Sequence, residues 1–205
     1  MLKRLLKRWN ANVANWWLVI ASGPSLVRDD VEALRGKVEA VAVNCAVFFA
    51  PWSGYLFAAD SVWWRHYAAK VAWYKGHRVS RTHNAPGVEM WRGANWARTG
   101  GNSGHMAIQY AVDQGAKNVA LLGFDQQRTA AKAHFHADHP KMEKDGRRTN
   151  MANAGGIGAW PRLMTRTAED LKGRGVTVIN LSRVTALKCF PKMTVDKFIE
   201  EHLCH

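Results

Sequence analysis

Trp16-Trp17-Leu18-Val19-Ile20-Ala21-Ser22-Gly23-Pro24-Ser25-Leu26-Val27-Arg28 decides the fold. The first six residues are an apolar run without helical spacing, which predicts a buried strand over 16–21. Ser22 to Ser25 interrupt it, and Leu26, Val31 and Leu34 then follow in a helical pattern. A parallel strand that turns through small residues into a helix brings unpaired N–H groups and a positive dipole end to one point, where α/β folds hold phosphate. Gly23 is expected to let a ligand approach the backbone closely, Pro24 to fix the loop, and Ser22 and Ser25 to offer hydroxyls. An ordinary strand-to-helix turn with Ser25 as N-cap accounts for the same residues.

Outward from this stretch, apolar runs and helical patterns alternate. Strands are predicted at Val38–Val43, Tyr55–Ala59, Asn118–Leu122 and Val176–Asn180, with a short one near Arg78–Ser80. Helices are predicted over Ser61–Tyr74, from Ser103 to Gly115, over Arg162–Gly173 behind Pro161, and over Thr194–Leu203. Alternation of this kind implies a single α/β Rossmann-like domain over 1–205, a mostly parallel sheet with helices on both faces. In such sheets ligands bind beyond the carboxyl ends of the strands. Ser22, Asn44, Asp60, Asp125 and Asn180 stand there, each ending an apolar run, and with Ser103 they are expected to converge. Gly100-Gly101-Asn102-Ser103-Gly104, at a helix start, is a second anion-cradle candidate.

Bulk properties narrow the class. The chain has 205 residues, 47% hydrophobic and 22% charged, which suits a globular domain with a full core. No apolar run approaches the ~20 residues of a membrane span. The basic extension over 1–14 lacks the apolar core and cleavage site of a secretory signal. Three widely spaced cysteines, Cys45, Cys189 and Cys204, suggest neither a disulfide framework nor a zinc pattern, so a cytoplasmic location is expected. A net charge of +13 favours polyanionic partners or phosphorylated substrates. Of ten Trp, Trp63, Trp64, Trp73, Trp91 and Trp96 lie near basic residues, where stacking on sugars or bases competes with plain core packing.

In order, Ile20-Ala-Ser-Gly-Pro-Ser-Leu26, Val43-Asn44-Cys45, Ala59-Asp60, Thr99-Gly-Gly-Asn-Ser-Gly104 and Leu121-Leu-Gly-Phe-Asp125 resemble the markers of the bacterial sialyltransferases of glycosyltransferase family 42. They also resemble a wider Rossmann-like group that includes archaeal-type hydroxymethylpterin pyrophosphokinases and small phage proteins. The phage members look most alike, through Gly123-Phe-Asp-Gln-Gln127, His134-Phe-His-Ala-Asp-His-Pro140 and Asn180-Leu-Ser-Arg183. The resemblance implies that Ser22, Gly23, Pro24, Asn44, Ser103 and Gly104 hold a nucleotide, with a CMP-linked donor as one form. For a phage-encoded chain the location would be the host cytoplasm. Two departures stand out. Ser22 and Asp60 replace Asn residues of that family, and Gly155–Pro161 lacks its catalytic His.

The replacement base is expected in His134-Phe135-His136-Ala137-Asp138-His139, where His134 and His136 point the same way on an extended chain. A neutral imidazole can take a proton from a hydroxyl, and a carboxylate such as Asp138 raises its basicity. The same groups suit a transition metal, and a divalent cation is a further candidate. Residues 126–158 carry no clear periodicity and are expected to form a lid-like loop. His105, at the Ser103 helix start, adds a further imidazole. Nucleotide contacts are expected from Ser22, Gly23, Pro24, Ser25, Asn44, Asp60, Gly101, Asn102, Ser103, Gly104 and Asp125. Three functions fit: a glycosyltransferase-like enzyme using a nucleotide-linked donor, acting on or near nucleic acid; a Mg²⁺-dependent phosphoryl or pyrophosphoryl transferase with Asp60, Asp125 and Asp138 on the metal; or a non-catalytic nucleic-acid-binding module. No oligomeric state follows from the sequence.

Overall fold

The computed structural model describes residues 16–83, 85–97, 102–129, 132–136 and 158–204, and by backbone alone the strands at 141–144 and 147–150. The basic extension over 1–14, Gly101 and Asp138 lie outside the described residues. In chain order the elements are β1 (Trp16–Ile20), α1 (Arg28–Ala33), β2 (Glu39–Val43), β3 (Tyr55–Phe57), α2 (Ser61–Tyr67), β4 (His77–Ser80), β5 (Glu89–Met90) and α3 (Ser103–Asp113). There follow β6 (Asn118–Leu122), β7 (Lys141–Lys144), β8 (Arg147–Asn150), α4 (Trp160–Gly173), β9 (Thr177–Asn180) and α5 (Val195–His202).

Seven strands form one parallel sheet in the order β5-β4-β3-β2-β1-β6-β9. The expected Rossmann-like α/β architecture is the one observed. β1 lies inside the sheet, so both its faces must be apolar, and this explains the unbroken Trp16–Ile20 run. Trp16, Leu18 and Ile20 pack with Val31 of α1, Trp63 and Trp64 of α2 and Phe198 of α5. Trp17 and Val19 pack on the other side with Ile108 and Tyr110 of α3 and Met164 and Leu171 of α4. Helices therefore cover both faces.

Several expectations need correction. The helix after the first strand begins at Arg28, behind Val27 as N-cap, and not at Ser25. Its N-terminus is therefore displaced from the Ser22–Ser25 turn, which has no helix dipole directly at its back. The Ser61 helix stops at Tyr67 and passes into a short 3-10 turn at Ala69–Val71. The helix expected from Ser103 to Gly115 ends at Asp113, and Asn102 caps its start: its Oδ1 accepts the His105 N–H at 2.8 Å. Within the stretch expected to be an irregular lid, β7 and β8 pair as an antiparallel hairpin, Lys141 opposite Asn150.

The chain leaves β1 in one direction as far as β5 and then returns to β6 on the other side, so strand order reverses between β1 and β6. There the two loops touch. Ala21 N–H donates to Leu122 O and Gly23 N–H to Gly123 O, both at 2.8 Å. A Cβ on Gly23 would collide with Gly123 O and the Asp125 carboxylate, and one on Gly123 (φ 71°) would collide with Ala21 O. The close approach at Gly23 is thus to its own fold, a reason for glycine there that stands beside the expected one of letting a ligand come near the backbone.

Gly123→Ala should cost about 2–4 kcal/mol, combining a left-handed backbone with a backbone clash. Gly175→Ala, at φ 67° with open space around its Cβ position, should cost only about 1–2 kcal/mol. Urea unfolding of the pair checks this, and equal losses would contradict the clash.

Candidate functional site

The carboxyl ends of β1, β2, β3 and β6 surround a cavity of about 380 Å³. Ser22 and Gly23 enter it from β1, Asn44 from β2, Asp60 from just after β3, and Gly123 and Asp125 from β6; Asn102, Ser103 and Gly104 come from the start of α3. The polar set expected to converge does so, apart from Asn180. That residue is fully buried, accepts the Ser182 N–H at 3.0 Å and donates to Thr185 Oγ1, so it shapes the loop beyond β9.

Asp125 is committed to Ser25. Its Oδ2 accepts the Ser25 N–H and its Oδ1 the Ser25 hydroxyl, each at 2.8 Å. The Ser25 donors expected to meet a phosphate therefore meet a carboxylate, and neither Ser25 nor Pro24 lines the cavity. Burial raises the Asp125 pKa, and the Ser25 hydrogen bonds work against that rise. Ser22 Oγ donates to Val43 O at 3.3 Å, linking the ends of β1 and β2.

Asp60 behaves differently. It is the N-cap residue of α2, yet its carboxylate makes no capping bond, unlike most Asp in that position. Thr82 Oγ1 accepts the Ser61 N–H instead, at 3.1 Å. Asp60 opens to the cavity, and surrounding protein displaces enough water to raise its pKa. The second loop is positioned by Ser103 Oγ, which accepts the Ala59 N–H at 3.3 Å. As the first residues of α3, Ser103 and Gly104 have N–H groups with no acceptor inside the helix.

Strain and unpaired polar atoms collect at this cavity. Among the described residues, the non-glycine positions with positive φ are Asn44 (54°) and Gln126 (52°), and both line it. Asn44 Oδ1, Asn102 Nδ2 and Gln126 Oε1 are buried without a hydrogen-bond partner. Such strain and unpaired atoms are costly and concentrate at functional sites.

His134 lines the cavity, whereas His136 stacks on it from outside, with ring centroids 5.0 Å apart and planes 6° from parallel. The two rings do share a side, as an extended chain requires. The segment is pinned between them: Phe135 N–H donates to Ser22 O at 3.1 Å, and its ring packs on Phe49 at 4.3 Å. His105 is fully buried beside Gln109 and is a core residue of α3. Trp64 and Trp91 are likewise core, their indole N–H groups held by Ala58 O and Asp113 Oδ2. Trp96 lies under the Arg174 guanidinium. Among the described residues no group of three or more His, Cys, Asp or Glu converges to hold a metal ion.

The fold has a solved counterpart. It is similar to the MAf glycosyltransferase from Magnetospirillum magneticum AMB-1, with a TM-score of 0.59 and 14% sequence identity over 90% of this chain. The match takes in 34% of that protein, so this chain spans about a third of its length. At this identity the likeness is one of fold. No family model and no curated protein matches the sequence. Among the described residues no helix is long and apolar enough to cross a membrane.

Sequence reasoning passed over Thr82, Gln127 and Trp160, which also line the cavity. Trp160 precedes Pro161 at the start of α4, and that helix-start signal could have placed it at the carboxyl edge.

The raised pKa of Asp60 has a thermodynamic sign. A carboxyl harder to ionise when folded costs stability once pH rises past its unfolded value of ~4, and the full cost is present above its folded value. Asp60→Asn should therefore unfold at a higher temperature than the parent at pH 7, with the gap closing below about pH 4. Calorimetry at the two pH values tests it; equal melting temperatures at pH 7 would refute it.

Proposed function

We propose that this chain is a nucleotide-dependent transferase of glycosyltransferase type, taking a nucleotide-linked sugar in the cavity between β1 and β6. The observation that supports this most is the coincidence, at the point where strand order reverses, of two strained residues and three unpaired buried polar atoms. Rossmann-like sheets receive nucleotides at such a point. The N–H groups of Ser103 and Gly104 would receive a phosphate, while Asn44, Asn102 and Gln126 have donors and acceptors to offer a base or ribose.

His134 is the proposed base. In transfer, the acceptor hydroxyl gives its proton to the imidazole as its oxygen bonds the anomeric carbon. The bond from that carbon to the nucleotide phosphate breaks, and the phosphate leaves with the electron pair. Gln126 and Asp60 flank the cavity as hydrogen-bond acceptors for sugar hydroxyls. A divalent cation on Asp60, Asp125 and Asp138 is less well supported, because both carboxylate oxygens of Asp125 already accept from Ser25.

Cytidine and uridine mono- and diphosphates should raise the melting temperature of the parent protein, and His134→Ala should keep that response. With a transferable donor and acceptor, His134→Ala should lose about 10²–10⁴-fold in turnover, the usual worth of a general base. Absence of any nucleotide response would overturn the site. Full turnover in His134→Ala would overturn the base.

A further inference from the structure

The cavity and its mouth have opposite electrostatic characters. Among the described residues, none of the twenty lining the cavity is Lys or Arg, and two are Asp. Cations stand just outside on separate segments. Arg65 reaches toward the mouth from α2, its Nη1 donating to Ser61 Oγ at 3.3 Å. Arg81 follows β4 beside Thr82, with its Nε buried and unpartnered. Arg128 and Lys132 flank the lining residues Gln127 and Ala133, and Arg162 follows Trp160; these three are exposed. Every one of the five lies within two residues of a lining position.

A donor phosphate occupies one place and cannot meet cations on four segments around an opening. A chain of phosphates can, because successive charges spread along it. The cavity would hold one donor phosphate at the N–H groups that begin α3, and its remaining polar lining would accept an uncharged group such as a base or a sugar hydroxyl, which leaves further phosphates to the mouth. Trp160 supplies aromatic surface there. The net charge of +13 adds long-range attraction of the same sign.

We infer that the acceptor is single-stranded nucleic acid, its backbone lying across the Arg65, Arg81, Arg128, Lys132 and Arg162 rim and one nucleoside entering the cavity. This rests on the reading of the cavity as a transferase site. A duplex would bind less well, since its base would first have to leave the stack, which costs a few kcal/mol.

Fluorescence anisotropy with an end-labelled oligothymidylate, titrated across sodium chloride concentrations, tests the inference on the whole chain. The logarithm of affinity should fall against the logarithm of salt with a slope of about −2 to −4, at ~0.7 per neutralised phosphate. The double variant Arg65→Gln with Arg162→Gln should flatten that slope by about 1.4. Lys37→Gln with Lys117→Gln, on the opposite edge of the sheet before β2 and β6, should leave it unchanged. Thermal response to cytidine monophosphate in the rim variant keeps the two readings apart: if that response persists while oligonucleotide affinity falls, the rim carries the acceptor. No binding at low salt, equal losses from the opposite-edge variant, or duplex bound as tightly as single strand would overturn it.

Discussion

The carboxylate of Asp125 holding the backbone and hydroxyl of Ser25 is the contact on which the architecture of the carboxyl edge depends. Charge-assisted hydrogen bonds of this kind contribute about 1.5–3 kcal/mol each. They form only because Gly23 and Gly123 let the two loops run against each other without side chains between them. The same tie extends outward: Val184 N–H meets Ser25 Oγ at 3.3 Å, and Ala186 N–H donates to Asp125 O at 2.8 Å. Arg183 then grips Asp30 of α1 with two hydrogen bonds of 2.7 and 2.8 Å. The loops after β1, β6 and β9 are consequently one bonded unit.

That unit divides labour along the edge. Ser25 and Asp125, which carry the expected ligand chemistry, are spent on structure. Asn44, Asp60, Asn102 and Gln126 are left with polar atoms directed to no protein group. A rigid frame of paired groups around a few unpaired ones is how a fold tolerates local strain where a substrate is to be bound. The pinning of Phe135 to Ser22 and Phe49 brings His134 into the same frame, so its place at the cavity follows from backbone bonding and ring packing.

The strands, their parallel pairing and the convergence of Ser22, Asn44, Asp60, Ser103 and Asp125 were legible because burial writes itself into apolar runs, and strand ends follow from where those runs stop. Partnership is not written that way. Ser25 reads as a free hydroxyl until Asp125, a hundred residues on, is placed against it. His105 and Asn180 look like site residues because polar side chains are rarely buried, yet each is hydrogen-bonded in the core to a neighbour that periodicity does not reveal. The two-residue strand β5 and the β7–β8 hairpin escaped notice because short or polar strands lack an apolar signature.

The inner position of β1 also bears on how the chain is made. β2 can pair with one edge of β1 as soon as residue 43 is available, but the other edge waits for residues 118–122. For that interval the emerging polypeptide carries a bare edge on a strand of five buried-type residues, two of them tryptophan. Such edges recruit other strands, and long-range parallel pairing is slow to close. Self-association of half-made chains is therefore the hazard that this topology builds into synthesis and refolding.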